Sequence, residues 1–155
     1  MRNHQSIVQL ELRLSKNIGK EYVKLKEKVQ KCNENSNLKK MNMEEFTYFN
    51  KLQTAFNKIC GNNIKDGKFV SSKSEVFGNL NLRCKYTPSK GNPVTLKLHH
   101  GKLENESPGR RVFWIYPPDK PGVAVVVAIL KHRELRKVKS YDLSHAMIDS
   151  LIKFE

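Results

Sequence analysis

Residues 109–133, GRRVFWIYPPDKPGVAVVVAILKHR, decide the fold expected for this chain of 155 residues. Residues 111–116 are rich in aromatic and β-branched side chains and residues 123–130 form a continuous apolar run, so both have strand length and composition. Between them stands PPDKPG, whose prolines cannot donate to a strand ladder and whose glycine suits a tight reversal. The stretch therefore predicts a hairpin. Its second strand lacks polar alternation, which places it in the centre of a sheet, covered on both faces.

Cationic residues stand at both outer ends of this hairpin, and those two ends are neighbours when the strands are antiparallel. They are Arg110 and Arg111 before the first strand and Lys131, His132 and Arg133 at the end of the second. Arginine and lysine bind phosphate, and histidine changes its charge near neutral pH. The hairpin therefore predicts a phosphate site with a titratable group at one rim of the sheet.

The composition of the whole chain is strongly basic. It has 29 lysines and arginines against 15 aspartates and glutamates, a formal charge of +14 at pH 7. Such a charge attracts polyanions and opposes self-association, so nucleic acid, an anionic membrane surface or an acidic protein are the expected classes of partner. The length and the absence of repeats predict one domain over residues 1–155.

The cysteines and the N-terminal segment predict a cellular compartment. Cys32, Cys60 and Cys84 are odd in number, widely spaced and outside any CxxC pair, which favours reduced thiols over a disulfide framework or a zinc site. The N-terminus has no signal-type apolar core, and no apolar run reaches membrane-spanning length. We therefore expect a soluble cytoplasmic protein.

The first half of the chain predicts a strand followed by two helices. Residues 7–14 alternate apolar and polar side chains like a half-buried strand, although a helical stripe also fits them. That stripe is Ile7, Leu10, Leu14 and Ile18. Ser15 is the expected N-cap of a helix over residues 16–32, and a second helix is expected over residues 43–60, ending at Gly61 as its C′ residue. The apolar stripe of the second helix is Phe46, Phe49, Leu52, Phe56 and Ile59.

The second half predicts strands and one more helix. Residues 76–86 and 94–100 show strand alternation, and residues 62–74 give no clear pattern. A terminal helix is expected over residues 142–154, capped by Asp142 or Ser140. The predicted fold is therefore α+β, a small antiparallel-rich sheet packed against an N-terminal helical hairpin, with a short C-terminal helix.

Most of the remaining charged and aromatic residues have a structural explanation. The lysines of residues 16–40 are expected on a solvated helix face, and Trp114 and Tyr116 in the core, with base stacking as the alternative. Of His99 and His100, one is expected to face solvent and the other to pack in the sheet, and too few ligands stand nearby for a metal site. No GxGxxG, Walker, HExxH or GxSxG pattern occurs. An enzyme with this sequence would depend on basic groups, without a metal or cofactor.

Basic groups suffice for one reaction of a polyanion. RNA carries its own nucleophile, the 2′-hydroxyl, so a protein cleaves it by aligning that oxygen with the next phosphate, stabilising the phosphorane and moving two protons. Arginines supply the charge, a histidine or a lysine moves a proton, and a tyrosine orients or donates. The same cations serve a non-catalytic binder equally well.

Two stretches of the chain resemble the RelE/ParE toxin superfamily. VQLELRLSKNIGKEYVKLKEKVQ, residues 8–30, resembles the opening strand and Lys-rich first helix of that family, and LKLHHGKLENESPGRRVFWIYPPDKPGVAVVVAILKHREL, residues 96–135, resembles its sheet. The resemblance implies the element order β-α-α-β-β-β, with a compact sheet against a helical hairpin. RelE-like members are endoribonucleases that cut mRNA, often in the ribosomal A site, with basic residues, sometimes with His or Glu and a C-terminal Tyr. ParE-like members instead poison DNA gyrase.

The resemblance also assigns roles by position. Arg110 or Arg111 would clamp the phosphate, and Tyr141 would orient the substrate. Lys131, His132 and Arg133 would form a cationic and acid/base cluster. The expected catalytic residues are His132, Arg133, Arg111 and Tyr141. The expected RNA-contacting residues are Arg110, Lys131, Lys97, His99, Arg136, Lys137 and Lys139.

The family further implies an acidic cognate antitoxin. This chain is longer than a typical member, chiefly in the connection between its helices and over residues 62–93. The first expectation is thus an mRNA-cleaving toxin that acts on translating ribosomes. The alternative is a non-enzymatic protein, either gyrase-directed or a nucleic-acid binder of a phage or mobile element.

Overall fold

The computed structural model describes residues 9–35, 42–61, 64–65, 68–69, 82–104, 109–131, 134 and 139–155. Its helices are α1 (Lys16–Asn35), α2 (Met43–Cys60) and α3 (His145–Ile148). Its strands are β1 (Glu11–Leu14), β2 (Ile64–Lys65), β3 (Lys68–Phe69), β4 (Leu82–Thr87), β5 (Val94–Leu96), β6 (His99–Lys102), β7 (Arg110–Ile115), β8 (Val123–Lys131), β9 (Lys139–Ser144) and β10 (Ile152–Lys153). The predicted fold class is confirmed, because the chain is α+β with a helical hairpin and a short C-terminal helix.

The main sheet has five strands in the order β10-β1-β8-β7-β6. β7 and β8 form the predicted antiparallel hairpin, and β1 runs parallel to β8 on its other side, so β8 is central as its apolar sequence predicts. The pairing steps from Phe113–Ala128 to Trp114–Val126, which leaves Val127 as the extra residue of a β-bulge.

The turn between β7 and β8 also fixes the start of β1. Gly122 has φ +80°, in the left-handed region that favours glycine. Its carbonyl oxygen accepts a hydrogen bond of 2.8 Å from the backbone N–H of Glu11. The PPDKPG stretch therefore makes the predicted reversal and joins the first strand to it.

The helices α1 and α2 cover one face of the main sheet. The carbonyl of Ser15 accepts the first hydrogen bond of α1, from Gly19 at 2.7 Å, which agrees with the predicted start of that helix. In the core between the helices, the ring of Tyr22 stacks on that of Phe49 with 5.4 Å between centroids. This core continues to Leu12 of β1 and to alternate residues of β7 and β8.

A second sheet covers the opposite face. It has three strands in the order β5-β4-β9, and α3 follows β9 directly. Phe113 and Ile115 of β7 and Val125 of β8 pack there against Cys84 of β4 and Leu143 of β9. The central strand β8 is therefore apolar on both sides because helices cover one side and a second sheet covers the other.

The N-terminal predictions hold with small changes of boundary. The described part of the predicted strand 7–14 begins at Glu11, and residues 7–8 lie outside the described residues. Gly61 ends α2 and its N–H donates to the Asn57 carbonyl at 2.7 Å, but its φ of −75° is not the left-handed value expected of a C′ glycine. In the predicted stripe of α2, Phe46 is 39% exposed, whereas the other four members are buried.

The C-terminal predictions need more correction. The predicted strand 94–100 is two strands in different sheets, since β5 ends at Leu96 and β6 begins at His99. Of the predicted strand 76–86, residues 82–86 belong to β4 and residues 76–81 lie outside the described residues. The predicted short C-terminal helix is present, but it is shorter than the predicted range 142–154: α3 spans His145–Ile148, and Ile152–Lys153 form β10.

The start of the C-terminal helix was misplaced because residues 142–144 pair with a distant strand. Residues 139–144 form β9 and run parallel to β4, an interaction that local periodicity does not reveal. The helix cap is Ser144, whose Oγ accepts from the N–H of Met147 at 3.3 Å, and is neither Asp142 nor Ser140.

Two general expectations can also be compared with the structure. Cys32, Cys60 and Cys84 are all buried and free, so no disulfide joins them. Among the described residues, no helix is long and apolar enough to cross a membrane.

Candidate nucleic-acid interface

The outer ends of the β7–β8 hairpin bring two predicted cations together. Arg110 begins β7 and Lys131 ends β8, and they are directly opposite in the antiparallel register. Directly opposed residues share a face, and contact of Arg110 with Tyr48 of α2 identifies that face as the helical one. Arg111, the next residue of the strand, points to the other face because side chains alternate.

The predicted arginine pair is therefore divided between the two faces of the sheet. Nη1 of Arg111 lies 3.4 Å from Nδ1 of His100, which is 3% exposed. Arg111, predicted as catalytic, thus packs beside a buried histidine rather than beside Arg110. Adjacent residues of a strand face opposite ways, so the two arginines do not share one site despite their proximity in sequence.

A cavity of about 500 Å³ opens where the hairpin ends meet the helices, and we call it the rim cavity. Three of the predicted site residues line it, namely Arg110, Lys131 and Tyr141. The other lining residues are Ser15, Lys16, Asn17, Ile18, Glu21, Tyr48, Val127, Ala128, Ile129, Leu130 and Glu134. The tertiary structure therefore joins β7, β8 and β9 with the start of α1 in one site.

The first turn of α1 adds positive potential to the rim cavity. This turn contains no acidic residue, and Lys16 begins the helix. The N-terminus of a helix carries a partial positive charge from its unpaired N–H groups. An anion in the cavity would therefore interact with the helix end as well as with the cationic side chains.

Arg110 is held by two neighbours, Glu104 and Tyr48. Its Nε donates to Oε1 of Glu104 at 2.6 Å, and its backbone N–H donates to the same oxygen at 3.2 Å. Its guanidinium lies 4.1 Å from the ring centroid of Tyr48. On the other side of the carboxylate, Lys51 Nζ is 3.8 Å from Oε2 of Glu104. Among the described residues, the two terminal nitrogens of Arg110 have no hydrogen-bond acceptor, so they remain available to an anion.

The two tyrosines of the cavity retain their protons at neutral pH. Burial raises the pKa of Tyr48 to about 12, and the charge of Glu21 adds to this while Arg110 opposes it. Burial and then the charge of Glu134 raise the pKa of Tyr141. Both phenols therefore act as hydrogen-bond donors rather than as bases.

The pKa values of the Arg110–Glu104 pair are shifted as expected for an ion pair. The hydrogen bond from Arg110 lowers the pKa of Glu104, against the opposing effect of burial. Burial alone would lower the pKa of Arg110, but the hydrogen bond to Glu104 and the nearby Tyr48 and Glu21 together raise it. Both groups are therefore charged over the physiological range.

The charge of the rim cavity is close to balanced among its described lining residues. Its cations are Lys16, Arg110 and Lys131, and its carboxylates are Glu21 and Glu134. The carboxylate Oε1 of Glu134 accepts the backbone N–H of Lys131 at 2.8 Å. The cavity thus offers cations, phenol donors and carboxylate acceptors together, the groups that proton transfer beside a phosphate requires.

Comparison with known proteins gives no match. No protein-family model, no curated protein and no solved structure matches this chain. The function of the rim cavity is therefore inferred from its own residues and from general chemistry.

The other predicted site residues do not line the rim cavity or cannot be placed. Lys97 is exposed in the connection between β5 and β6, and the ring of His99 lies 4.8 Å from that of Tyr116 on the sheet. Lys139 begins β9, and its side chain is outside the described residues. The predictions for His132, Arg133, Arg136 and Lys137 also fall outside the described residues.

Several residues of the site were missed from the sequence. Glu21 and Tyr48 are single polar positions on two amphipathic helices, where nothing in the spacing distinguishes them from a solvated face. Glu104 stands in the predicted connection GKLENESPG, six residues before Arg110, and no local signal pairs the two. In the described part of the chain, no group of three or more His, Cys, Asp or Glu side chains is placed to hold a metal ion.

A second polar cluster lies at the opposite end of the hairpin, around Asp119 of the PPDKPG turn. Oδ1 of Asp119 accepts the hydroxyl of Tyr86 at 2.5 Å, and Oδ2 accepts the backbone N–H of Ser89 at 2.7 Å. Nδ1 of His145 lies 3.1 Å from Oδ2. The Tyr86 and Ser89 hydrogen bonds hold the pKa of Asp119 well below its usual range. This cluster joins the second sheet and α3 to the turn of the main sheet.

Proposed function

We propose that this protein is a basic toxin of a toxin–antitoxin pair that cleaves mRNA without a metal ion, with the rim cavity as its active site. One observation carries the proposal. Arg110, Lys131 and Tyr141, which come from three strands and were selected from the sequence as RNA-site residues, line one cavity beside the start of α1.

The residues of the cavity fit the chemical needs of RNA cleavage. The 2′-oxygen attacks the adjacent phosphorus and loses its proton to a base, while the 5′-oxygen leaves and gains a proton from an acid. Arg110, Lys131 and the α1 N-terminus would stabilise the charge on the phosphorane. Tyr141 keeps its proton and lines the cavity, so its hydroxyl would donate to a phosphate or leaving oxygen.

The proton acceptor has two sources in this proposal. The carboxylates Glu21 and Glu134 line the cavity and accept protons by their chemistry. His132 follows Lys131 directly in the sequence and is the acid/base residue that the family resemblance implies. Separate substitutions of Glu21, Glu134 and His132 would show which of these side chains accepts the proton.

The fold supports the proposal through the order of its elements. Around the main sheet, β1, α1, α2, β6, β7 and β8 follow one another as strand, helix, helix and three strands, the order that the RelE/ParE resemblance implies. The strands β2, β3, β4 and β5 form the additional segment between α2 and β6. On the same basis we propose that the protein acts on translating ribosomes in the cytoplasm and that an acidic antitoxin neutralises it.

The test is induced expression in a bacterial host, with mapping of mRNA 5′ ends before and after induction. We expect growth arrest and new mRNA ends with the wild-type chain. Removing one stabilising donor at such a site costs roughly 100- to 1000-fold in rate, so Arg110→Gln and Lys131→Gln should abolish detectable new ends. Tyr141→Phe removes only a hydroxyl and should reduce cleavage without affecting folding.

The matched control is Lys90→Gln, which removes one positive charge from an exposed position of the β4–β5 connection that does not line the rim cavity. We expect it to cleave like the wild type. Any cleavage of free RNA by the purified protein should persist in a chelator, because the proposed site uses no metal ion. If Arg110→Gln and Tyr141→Phe cleave as fast as the wild type, the rim cavity is not the active site and the proposal fails.

The second candidate is a non-enzymatic protein that binds nucleic acid or gyrase. The described lining of the rim cavity favours it, because that lining contains no histidine, while Lys16, Arg110 and Lys131 could hold a phosphate without catalysis. Growth arrest without new mRNA ends, together with RNA binding by the purified chain that leaves the RNA intact, would select this function.

A further inference from the structure

The rim cavity continues into a groove along the exposed side of α2. Tyr48 and Arg110 line both the rim cavity and a second depression of about 440 Å³. Met43, Thr47 and Lys51 line that depression and also a third one of about 470 Å³. The shared residues join the three depressions in sequence, and we call the second and third together the α2 groove.

The α2 groove follows one regular face of the helix. The helical residues that line its third depression recur at spacings of three and four, as one face of a helix requires. They are Met43, Phe46, Thr47, Asn50, Lys51, Thr54, Ala55 and Lys58. The buried face of α2 is different, with Phe49, Leu52, Phe56 and Ile59 in the core. The helix therefore has one face for packing and a separate face that borders the groove.

The far end of the α2 groove is the most basic of the three depressions. Lys51 and Lys58 of α2 and Lys102 of β6 line it, and its described lining contains no carboxylate. In the middle depression, Glu44 and Glu104 balance Lys51 and Arg110. Positive charge therefore concentrates at the far end of the α2 groove. An RNA strand that leaves the rim cavity would pass there.

An exposed aromatic ring lies among these lysines. Phe46 is 39% exposed and Met43 is 76% exposed, although both belong to an otherwise amphipathic helix. Exposed rings in a basic groove are the arrangement that proteins use to hold single-stranded nucleic acid, because any base can stack on them. The bases of a paired strand would not be available for stacking on Phe46 in this way.

We propose that the α2 groove binds single-stranded RNA that extends from the rim cavity, with phosphates at Lys51, Lys58 and Lys102 and a base stacked on Phe46. This inference rests on the proposed function in that the rim cavity holds the neighbouring nucleotide. Phe46 and Lys58 are 12 positions apart, or about 18 Å along the helix. A groove of this length takes on the order of four nucleotides, at the low end for single-strand sites.

The proposal is tested by fluorescence anisotropy with labelled 2′-O-methyl oligouridylates of increasing length. These probes bind without being cleaved, because the 2′-oxygen is blocked. We expect affinity to rise with length until the rim cavity and the α2 groove are both filled, and then to level off. A double variant, Lys58→Gln with Lys102→Gln, should remove this gain and reduce the slope of log affinity against log salt by about 1 to 2.

The aromatic contact is tested separately with Phe46→Ala. Loss of one stacked base corresponds to about a 5- to 150-fold weaker complex with the long probe. The shortest probe, which fills only the rim cavity, should bind as it does to the wild type. Circular dichroism confirms folding of each variant, and all three positions are exposed.

The matched control is Lys20→Gln with Lys24→Gln, which removes the same charge from exposed positions of α1 that line none of the three depressions. It should keep the length dependence and nearly all of the affinity. Arg110→Gln should weaken binding of every probe, including the shortest.

Each other outcome overturns the inference. If the Lys58 and Lys102 variant binds long probes like the control while Arg110→Gln weakens all of them, the α2 groove is not the path and the proposed function stands. If the wild type binds poly-glutamate but no oligonucleotide, the groove is a docking site for an acidic protein. If no variant, Arg110→Gln included, weakens binding of either the short or the long oligonucleotides, both proposals are contradicted.

Discussion

Arg110 owes its position to residues that come from other elements. Glu104 follows β6 and accepts two of its hydrogen bonds, and Tyr48 of α2 supplies the ring on which the guanidinium lies. An arginine held in this way presents its terminal nitrogens without a large loss of side-chain entropy on binding an anion. Glu104 is therefore a positioning residue as well as an ion-pair partner.

We expect Glu104→Gln to lower the free energy of unfolding by about 1 kcal/mol at pH 7, since it removes a partly exposed, charge-assisted pair. The pKa of Glu104 is lowered in the folded state, so its contribution is present above the ordinary value of 4.5 and is lost as the pH falls through the folded value. Urea unfolding of the wild type and of Glu104→Gln at pH 7 and pH 3 measures this contribution to the free energy of unfolding.

The difference in unfolding free energy between the wild type and Glu104→Gln should be smaller at pH 3 than at pH 7. Glu27→Gln, at an exposed position of α1, removes the same charge and serves as the control. An equal loss in both variants would mean that the charge itself, and not the Arg110 contact, stabilises the fold.

A second prediction at the scale of one residue concerns Asp119. Its pKa is lowered by hydrogen bonds from Tyr86 and Ser89, so its stabilising effect is present above the ordinary value of 3.8 and is lost on acidification below it. We expect Asp119→Asn to unfold at lower urea concentration than the wild type at pH 7. Near pH 2 the two proteins should approach each other.

The control for Asp119 is Asp149→Asn, because Asp149 is 75% exposed and its pair with Lys120 has an N–O distance of 3.4 Å. That variant should unfold almost like the wild type at every pH. A pH-independent deficit in Asp119→Asn would show that shape, rather than charge, matters at this position.

At the scale of elements, α2 separates packing from the proposed contact with RNA. Phe56 is fully buried and Phe46 is 39% exposed, ten residues earlier on the same helix. We expect Phe56→Ala to cost about 3–5 kcal/mol of unfolding free energy through the cavity that it leaves. Phe46→Ala should cost under about 1 kcal/mol, because a surface position loses little packing.

Urea denaturation of the two variants measures the difference, since both remove the same side chain from one helix. Similar losses would contradict the assignment of two faces to α2. In that case Phe46 would be a core residue, as the apolar stripe of the sequence predicted, and the α2 groove would lose its aromatic contact.

At the scale of the molecule, the net charge sets how RNA binding depends on salt. The proposed path has six cationic side chains, namely Lys16, Lys51, Lys58, Lys102, Arg110 and Lys131. If each neutralises one phosphate, log affinity should fall against log salt with a slope of about −4, from roughly −0.7 for each contact with a single strand. Anisotropy titrations between about 50 and 300 mM salt, roughly a sixfold range, measure this slope.

A slope near −1 would mean that one or two of the cations contact phosphate, and would restrict RNA to the rim cavity. A slope well beyond −4 would point to further cations of this strongly basic chain.

The sequence alone predicted the elements whose patterns are local. The hairpin of β7 and β8 followed from two apolar runs around PPDKPG, and α1 and α2 followed from apolar spacing with Ser15 and Gly61 at two of their ends. The cluster of cations at the sheet rim was predicted in part, because the start of the first hairpin strand and the end of the second are neighbours in an antiparallel pair. Arg110 and Lys131 did so.

The tertiary structure decided what depends on facing and on distant pairing. Alternation along β7 placed Arg110 in the rim cavity and Arg111 against His100 on the other face. Parallel pairing of β9 with β4 made residues 142–144, the start of the predicted helix, part of a strand and brought Tyr141 to the cavity. Local periodicity fixes where an element forms, because it depends on neighbours in the chain. Which side chains meet depends on contacts between residues far apart in the chain, and those arise only when the layers pack together.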